Sequence, residues 1–174
     1  MAFRLLAAVV ALALGTTASI ASHSSAPERH PDRFEVKFSG QVQSAPTPLP
    51  ASLKPVVIRA VTYMQNERDF IHAVAVQHNR VRLDTDDSIK TSLQTLACDR
   101  MEESEFLSPN GMAQERRGFG CLGGAFDAVV RYHLRGTSIY QVIAIYKKSL
   151  GDQKANEFVQ SFRLTDVRGT RTGF

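Results

Sequence analysis

No stretch of this 174-residue chain holds the roughly 20 consecutive apolar residues that a permanent membrane-spanning helix needs. Nor does it contain G-x-S-x-G, H-E-x-x-H or a phosphate-cradling G-x-x-x-x-G-K, so no hydrolase elbow, zinc-protease helix or nucleotide loop is spelled out. Internal repeats and low-complexity tracts are also missing. Cysteine is scarce, with Cys98 and Cys121 alone. The formal charge of +4 is scattered among acids, apart from Arg116-Arg117 and the tail residues Arg163, Arg168 and Arg171. A nucleic-acid surface concentrates Lys and Arg on one stripe, often between aromatics, and this composition argues against such a partner.

What is present begins with an address. Arg4 supplies a positive charge beside the initiator amine, Leu5 to Leu14 is an uncharged run of Leu, Ala and Val, and Gly15 to Ala21 is small and weakly polar. That layout predicts a secretory signal over residues 1–21, possibly to 26, cleaved after Ala21 or Ala26. Neither cysteine follows a cleavage site, so lipid attachment to a new N-terminal cysteine is not expected. The mature chain is expected to be secreted or periplasmic, with no stable membrane anchor. About 150 residues would remain, the size of one domain with a single core.

An even cysteine count in an exported chain predicts a disulfide between Cys98 and Cys121, worth about 3 kcal/mol by the chain-entropy estimate. Free buried thiols or one reactive cysteine are the competing assignments.

Residues 22–32 predict a polar linker, 33–164 a single domain, and 165–174 a flexible tail. Phe34-Glu-Val-Lys-Phe38 alternates as a strand, while Pro46, Pro48, Pro50 and Pro55 make Gln41 to Pro55 an extended loop. Val56 to Met64 and Phe70 to Val76 predict a hairpin across Gln65 to Asp69. The acids and hydroxyls from Asp84 open a helix with Ile89, Leu93, Leu96 and Ala97 on one face. Met101 to Gly124 reads as irregular. Ala125 to Leu134 and Ser138 to Tyr146 predict strands joined by a glycine turn at Arg135-Gly136-Thr137. A last helix runs from Asp152 to Phe162, with Ala155, Phe158, Val159 and Phe162 at i, i+3, i+4 and i+7. Hairpins plus two amphipathic helices predict an α+β fold, an antiparallel sheet packed with helices.

Tyr140-Gln-Val142 after a glycine turn, followed by Ala155-Asn-Glu-Phe158-Val-Gln-Ser161-Phe162, resembles the C-terminal signature of the PsbP/Mog1-like family. Phe34-Glu-Val-Lys-Phe-Ser-Gly40 is similar to that family's first strand and turn. The resemblance spans about Arg33 to Leu164 and implies an antiparallel sheet between helices, a PsbP/Mog1-like sandwich. Tyr140, Phe158 and Phe162 are then core positions. It implies no single activity, since members include photosystem II subunits, a nuclear binder of a small GTPase and exported bacterial proteins of unknown role. A bare secretory leader, without plastid transit composition, fits the exported group.

Gly118-Phe-Gly120-Cys-Leu-Gly123 matches G-x-G-x-x-G by letter, but the dinucleotide mechanism needs a strand before it and a helix after it. A turn beside a half-cystine accounts for the glycines better. Among five histidines, His23 and His30 lie in the linker, and His133 has no evident partner. His72 and His78 on one strand would stand about 20 Å apart at ~3.3 Å per residue. No metal-ligand spacing is present, and Asp84, Asp86 and Asp87 lack the glycine and distal glutamate of a calcium loop. Neither metal nor cofactor is expected, and no catalytic residue is assigned. The expected function is a non-enzymatic binding or accessory module for a protein or small-molecule partner. A hydrolase or thiol enzyme built on residues 101–124, with Cys121 or Cys98 beside His133 or His72, and a carrier of an apolar ligand are the alternatives.

Overall fold

In the computed structural model of the chain, residues 28–30, 32–49, 51–82, 96–108 and 110–165 are described. Their elements are β1 (Glu28–His30), β2 (Phe34–Val36), β3 (Gln43–Pro46), β4 (Val57–Asn66), β5 (Phe70–Asn79), β6 (Arg100–Ser108), β7 (Gly111–Cys121), β8 (Phe126–Arg135), β9 (Ser138–Lys147), α1 (Gln153–Ser161) and β10 (Arg163–Leu164). A seven-stranded sheet has the order β3-β4-β5-β9-β8-β7-β6, and a three-stranded sheet has the order β1-β2-β10. Every pairing is antiparallel.

The centre of the large sheet follows from composition. β5 and β9 are nearly continuous apolar runs and are buried along almost their whole length. Strands buried on both faces lose the alternation that a half-exposed strand shows. Side chains still divide by the period of two. Phe70, Val74, Val76, Tyr140, Val142, Ala144 and Tyr146 share one face with Phe34, Phe38, Phe158 and Phe162 packed on it. Ala73, Ile143, Ile145, Ala128, Val130 and Tyr132 line the other, where Leu96 and Cys121 join them.

α1 is anchored to the first face by its stripe. Ala155, Phe158 and Val159 are buried, and Glu157 is exposed. A polar seam adds to this at its β7 and β8 side. Glu115 accepts from Arg131 Nε at 2.5 Å and Arg117 Nε at 2.8 Å. Arg117 reaches on to Asp152 at 3.2 Å and Asn156 at 2.7 Å.

These elements correct the expected fold class. The chain is a β-rich, mostly antiparallel fold with one α-helix among the described residues, in place of an α+β sandwich packed with amphipathic helices. The main cause is 101–124, expected to be irregular, which forms all of β6 but Arg100 and the whole of β7. Its residues lie at the sheet margin, where side chains on both faces of β6 are exposed and no alternation marks the strand. Most of the helix expected from Asp84 lies outside the described residues, and Leu96 and Ala97 occupy a turn. The proline-bearing stretch contains β3, which is short and marginal, as proline requires. The polar stretch 22–32 ends in structure too: Glu28–His30 pairs with β2, and Asp32 is buried.

Candidate functional site

A buried polar cluster among the described residues centres on Asp32, in the turn between β1 and β2. Its carboxylate accepts Arg59 Nε at 2.9 Å, Arg59 Nη2 at 3.2 Å and the Tyr63 hydroxyl at 2.5 Å, and lies 3.2 Å from His78 Nε2. Tyr140 donates to the Asp32 carbonyl at 3.2 Å. Sheet alternation explains the convergence, since Arg59 and Tyr63 from β4, His78 from β5 and Tyr140 from β9 project from one face. Burial alone would push the Asp32 carboxyl up, but hydrogen bonds from Arg59, Tyr63 and His78 together hold it below the usual value. Burial, then the hydrogen bond to Asp32, push Tyr63 up to about 12.

His78 Nδ1 also lies 2.8 Å from Ser138 Oγ, so Ser138, His78 and Asp32 form a line with the composition of an acyl-transfer triad. The geometry argues for a clamp instead. A carboxylate has about four acceptor sites, and Arg59, Tyr63 and His78 already occupy that many. Its charge is therefore offset by Arg59 rather than held for an imidazolium. The amide groups of the adjacent Asn79 are also engaged, with both its backbone N–H and its Nδ2 donating to the Thr137 carbonyl. Neither is left as an oxyanion donor.

The second candidate is the ribbon of β6 and β7 at the sheet margin. Among the described residues β6 is the terminal strand of the sheet, hydrogen-bonded to β7 on one side. Arg100 through Glu105 are all exposed, and Leu107 is 80% exposed. The ribbon's base is fixed. Cys98 and Cys121 form a disulfide with Cα atoms 3.8 Å apart, and Cys121 is completely buried. Asp99 N–H donates to the Phe119 carbonyl at 2.9 Å, and Leu122 N–H to the Leu96 carbonyl at 2.9 Å. The Arg100 guanidinium lies over the Phe119 ring at 4.3 Å.

The same base explains the glycine pattern. A Cβ on Gly118 would come within 2.5 Å of Cys98 Sγ, and one on Gly120, at φ +65°, would strike the Asp99 carboxylate. The glycines make room for the disulfide and its neighbour, and a strand follows where a dinucleotide site needs a helix.

The other sequence candidates have structural surroundings. His72 stacks on Phe158 at 4.2 Å and His133 on Phe162 at 4.9 Å, each with both ring nitrogens unpartnered. Burial is the main cause that lowers each to about 4. Tyr140, Phe158 and Phe162 are buried, and Phe34 packs against Tyr140 and Phe162 at 6.4 and 5.7 Å. Both cysteines being bridged, a thiolate nucleophile has no source in this chain. Among the described residues, no helix is long and apolar enough to cross a membrane. Sequence reasoning missed Asp32, which sits in a segment without periodicity, and β6, which carries no strand pattern.

Comparisons with protein-family models, with curated proteins and with solved structures match nothing to this chain.

Proposed function

We propose that this chain is an exported, non-enzymatic binding module that docks on another protein through the open edge of β6. The observation that carries this reading is the terminal strand β6, exposed from Arg100 through Glu105 and at Leu107. Such an edge offers unpaired backbone donors and acceptors, to which an extended segment can add as a further strand. The disulfide base holds the edge in one shape before binding, which lowers the ordering cost of association. Export is supported by the leader of residues 1–21 and by cysteine pairing, which suits an oxidising compartment.

The enzyme alternatives have less to stand on. The thiol version loses its nucleophile to the disulfide, and Ser138 belongs to the Asp32 clamp. A carrier would need room between sheet and α1, where Phe34, Phe158 and Phe162 are each at most 2% exposed.

The test is a photo-crosslinking residue placed at Leu107 in the tagged full chain, expressed in its native host. The expected result is a discrete adduct outside the cytoplasm, on a mature chain starting at Ser22 or Pro27, with none from the same group at Glu157. An intact Met1 terminus in the cytoplasm defeats the export reading. No adduct at Leu107, or the same adduct from both positions, defeats the docking reading.

A further inference from the structure

We propose, resting on the docking reading above, that the occupant of β6 is an extended segment of another protein carrying basic residues at two alternate positions, flanked by apolar ones. Met101, Glu103, Glu105 and Leu107 share one face of β6, and the register sets Glu103 opposite Arg116 and Glu105 opposite Gln114 on β7. Glu103 pairs with Arg116 at 3.1 Å, and Glu105 accepts from Gln114 at 3.1 Å. All four β6 residues are exposed, Met101 at 41% and Leu107 at 80%. The face therefore runs apolar, acidic, acidic, apolar toward an open edge.

A second copy of this chain is a poor occupant in the longest registers, those centred on 102 to 105. In an antiparallel self-pairing about a two-fold axis, opposed residues must share a face, so odd positions meet odd and even meet even. Centred on residue 102, 103 or 105, the pairing sets that glutamate against its own copy. Centred on 104, it sets Glu103 against Glu105. Like charges directly opposite destabilise a strand pair. The acids that bar the copy favour a segment whose Lys or Arg side chains fall opposite Glu103 and Glu105. Its apolar residues then meet Met101 and Leu107.

The experiment uses the purified mature chain, isotope-labelled, and two blocked seven-residue peptides, Val-Thr-Lys-Thr-Lys-Thr-Val and its counterpart with glutamate for lysine. The expected result is that the lysine peptide shifts backbone amide signals of residues 101–107, binds about tenfold or more tightly than the glutamate peptide, and weakens with added salt. Glu103→Lys with Glu105→Lys should reverse the preference. The milder Glu103→Gln with Glu105→Gln should nearly equalise the two peptides, which keeps the test valid if the lysine variant fails to fold. Equal binding to the wild-type chain, shifts confined to other elements, or no binding overturns the proposal. A Leu107 adduct that persists alongside any of those results leaves docking at β6 standing and the basic occupant refuted. Loss of that adduct as well refutes both.

Discussion

Asp32 directs its whole carboxylate inward, to Arg59, Tyr63 and His78. Removing it takes from the buried Tyr63 hydroxyl its carboxylate acceptor, while Arg59 is half exposed and can turn to water. Asp32→Ala should therefore cost about 1.5–3 kcal/mol, the range for hydrogen bonds to a charged group, read as a shift in the denaturant midpoint. Ser138→Ala should cost much less, and equal losses would show that the carboxylate is not the centre of the cluster. His72 and His133 supply a pH dependence of definite sign. Each is lowered from 6.5 to about 4 when folded, so the unfolded chain binds more protons between those values. Their contribution is complete above about pH 6.5 and falls as pH drops toward 4, by at most about 3 kcal/mol each. Lys154 beside His72, and Arg131 and Arg163 beside His133, oppose protonation in the same direction. His72→Leu with His133→Leu should flatten stability across that window, and an unchanged slope would contradict the assignment. None of this was legible in sequence. A histidine's stacking partner and an aspartate's three hydrogen-bond partners depend on which strands become neighbours, and local pattern does not encode that.

At the scale of elements, α1 was the most legible, because its apolar residues repeat at the helical period and its solvent face is polar. Phe158 stacks on His72 and packs on Phe38 at 5.2 Å, so Phe158→Ala should cost about 3–5 kcal/mol, whereas Glu157→Ala should be nearly neutral. Equal melting temperatures would show that the helix presents another face. The disulfide was legible from cysteine parity and the expectation of export, though its role was not. It ties the start of β6 to the end of β7. Reductant should lower the melting temperature, with about 3 kcal/mol at stake, and Cys98→Ser and Cys121→Ser should each reproduce the loss without adding to one another. Two thiols reacting in the unfolded, unreduced protein would contradict the bridge. β6 itself was illegible for a physical reason. Strand pattern comes from burial on at least one face, and a margin strand exposed on both has no reason to alternate.

At the scale of the molecule, the hairpins of β4–β5 and β8–β9 were readable and their neighbourhood was not. The pairing of β5 with β9 joins residues about 70 positions apart, such as Val74 and Val142, and no local signal encodes it. The extra hairpin at the margin turned an expected α+β sandwich into a β-rich sheet, and it also created the open edge on which the functional reading rests. That edge must satisfy two demands at once: it must stay available to a partner, and it must not join the same edge on another copy. Glu103 and Glu105, with Glu102, serve the second demand by setting like charges opposite each other in the longest registers. Sedimentation equilibrium of the purified chain from residue 22 onward, beside a Glu103→Thr, Glu105→Thr variant, tests this most directly. The account predicts a monomeric wild type and a variant that dimerises through β6, since threonine favours strands and removes the opposed charges. A variant that stays monomeric at the same concentrations, or a wild type that already pairs through β6, would contradict it.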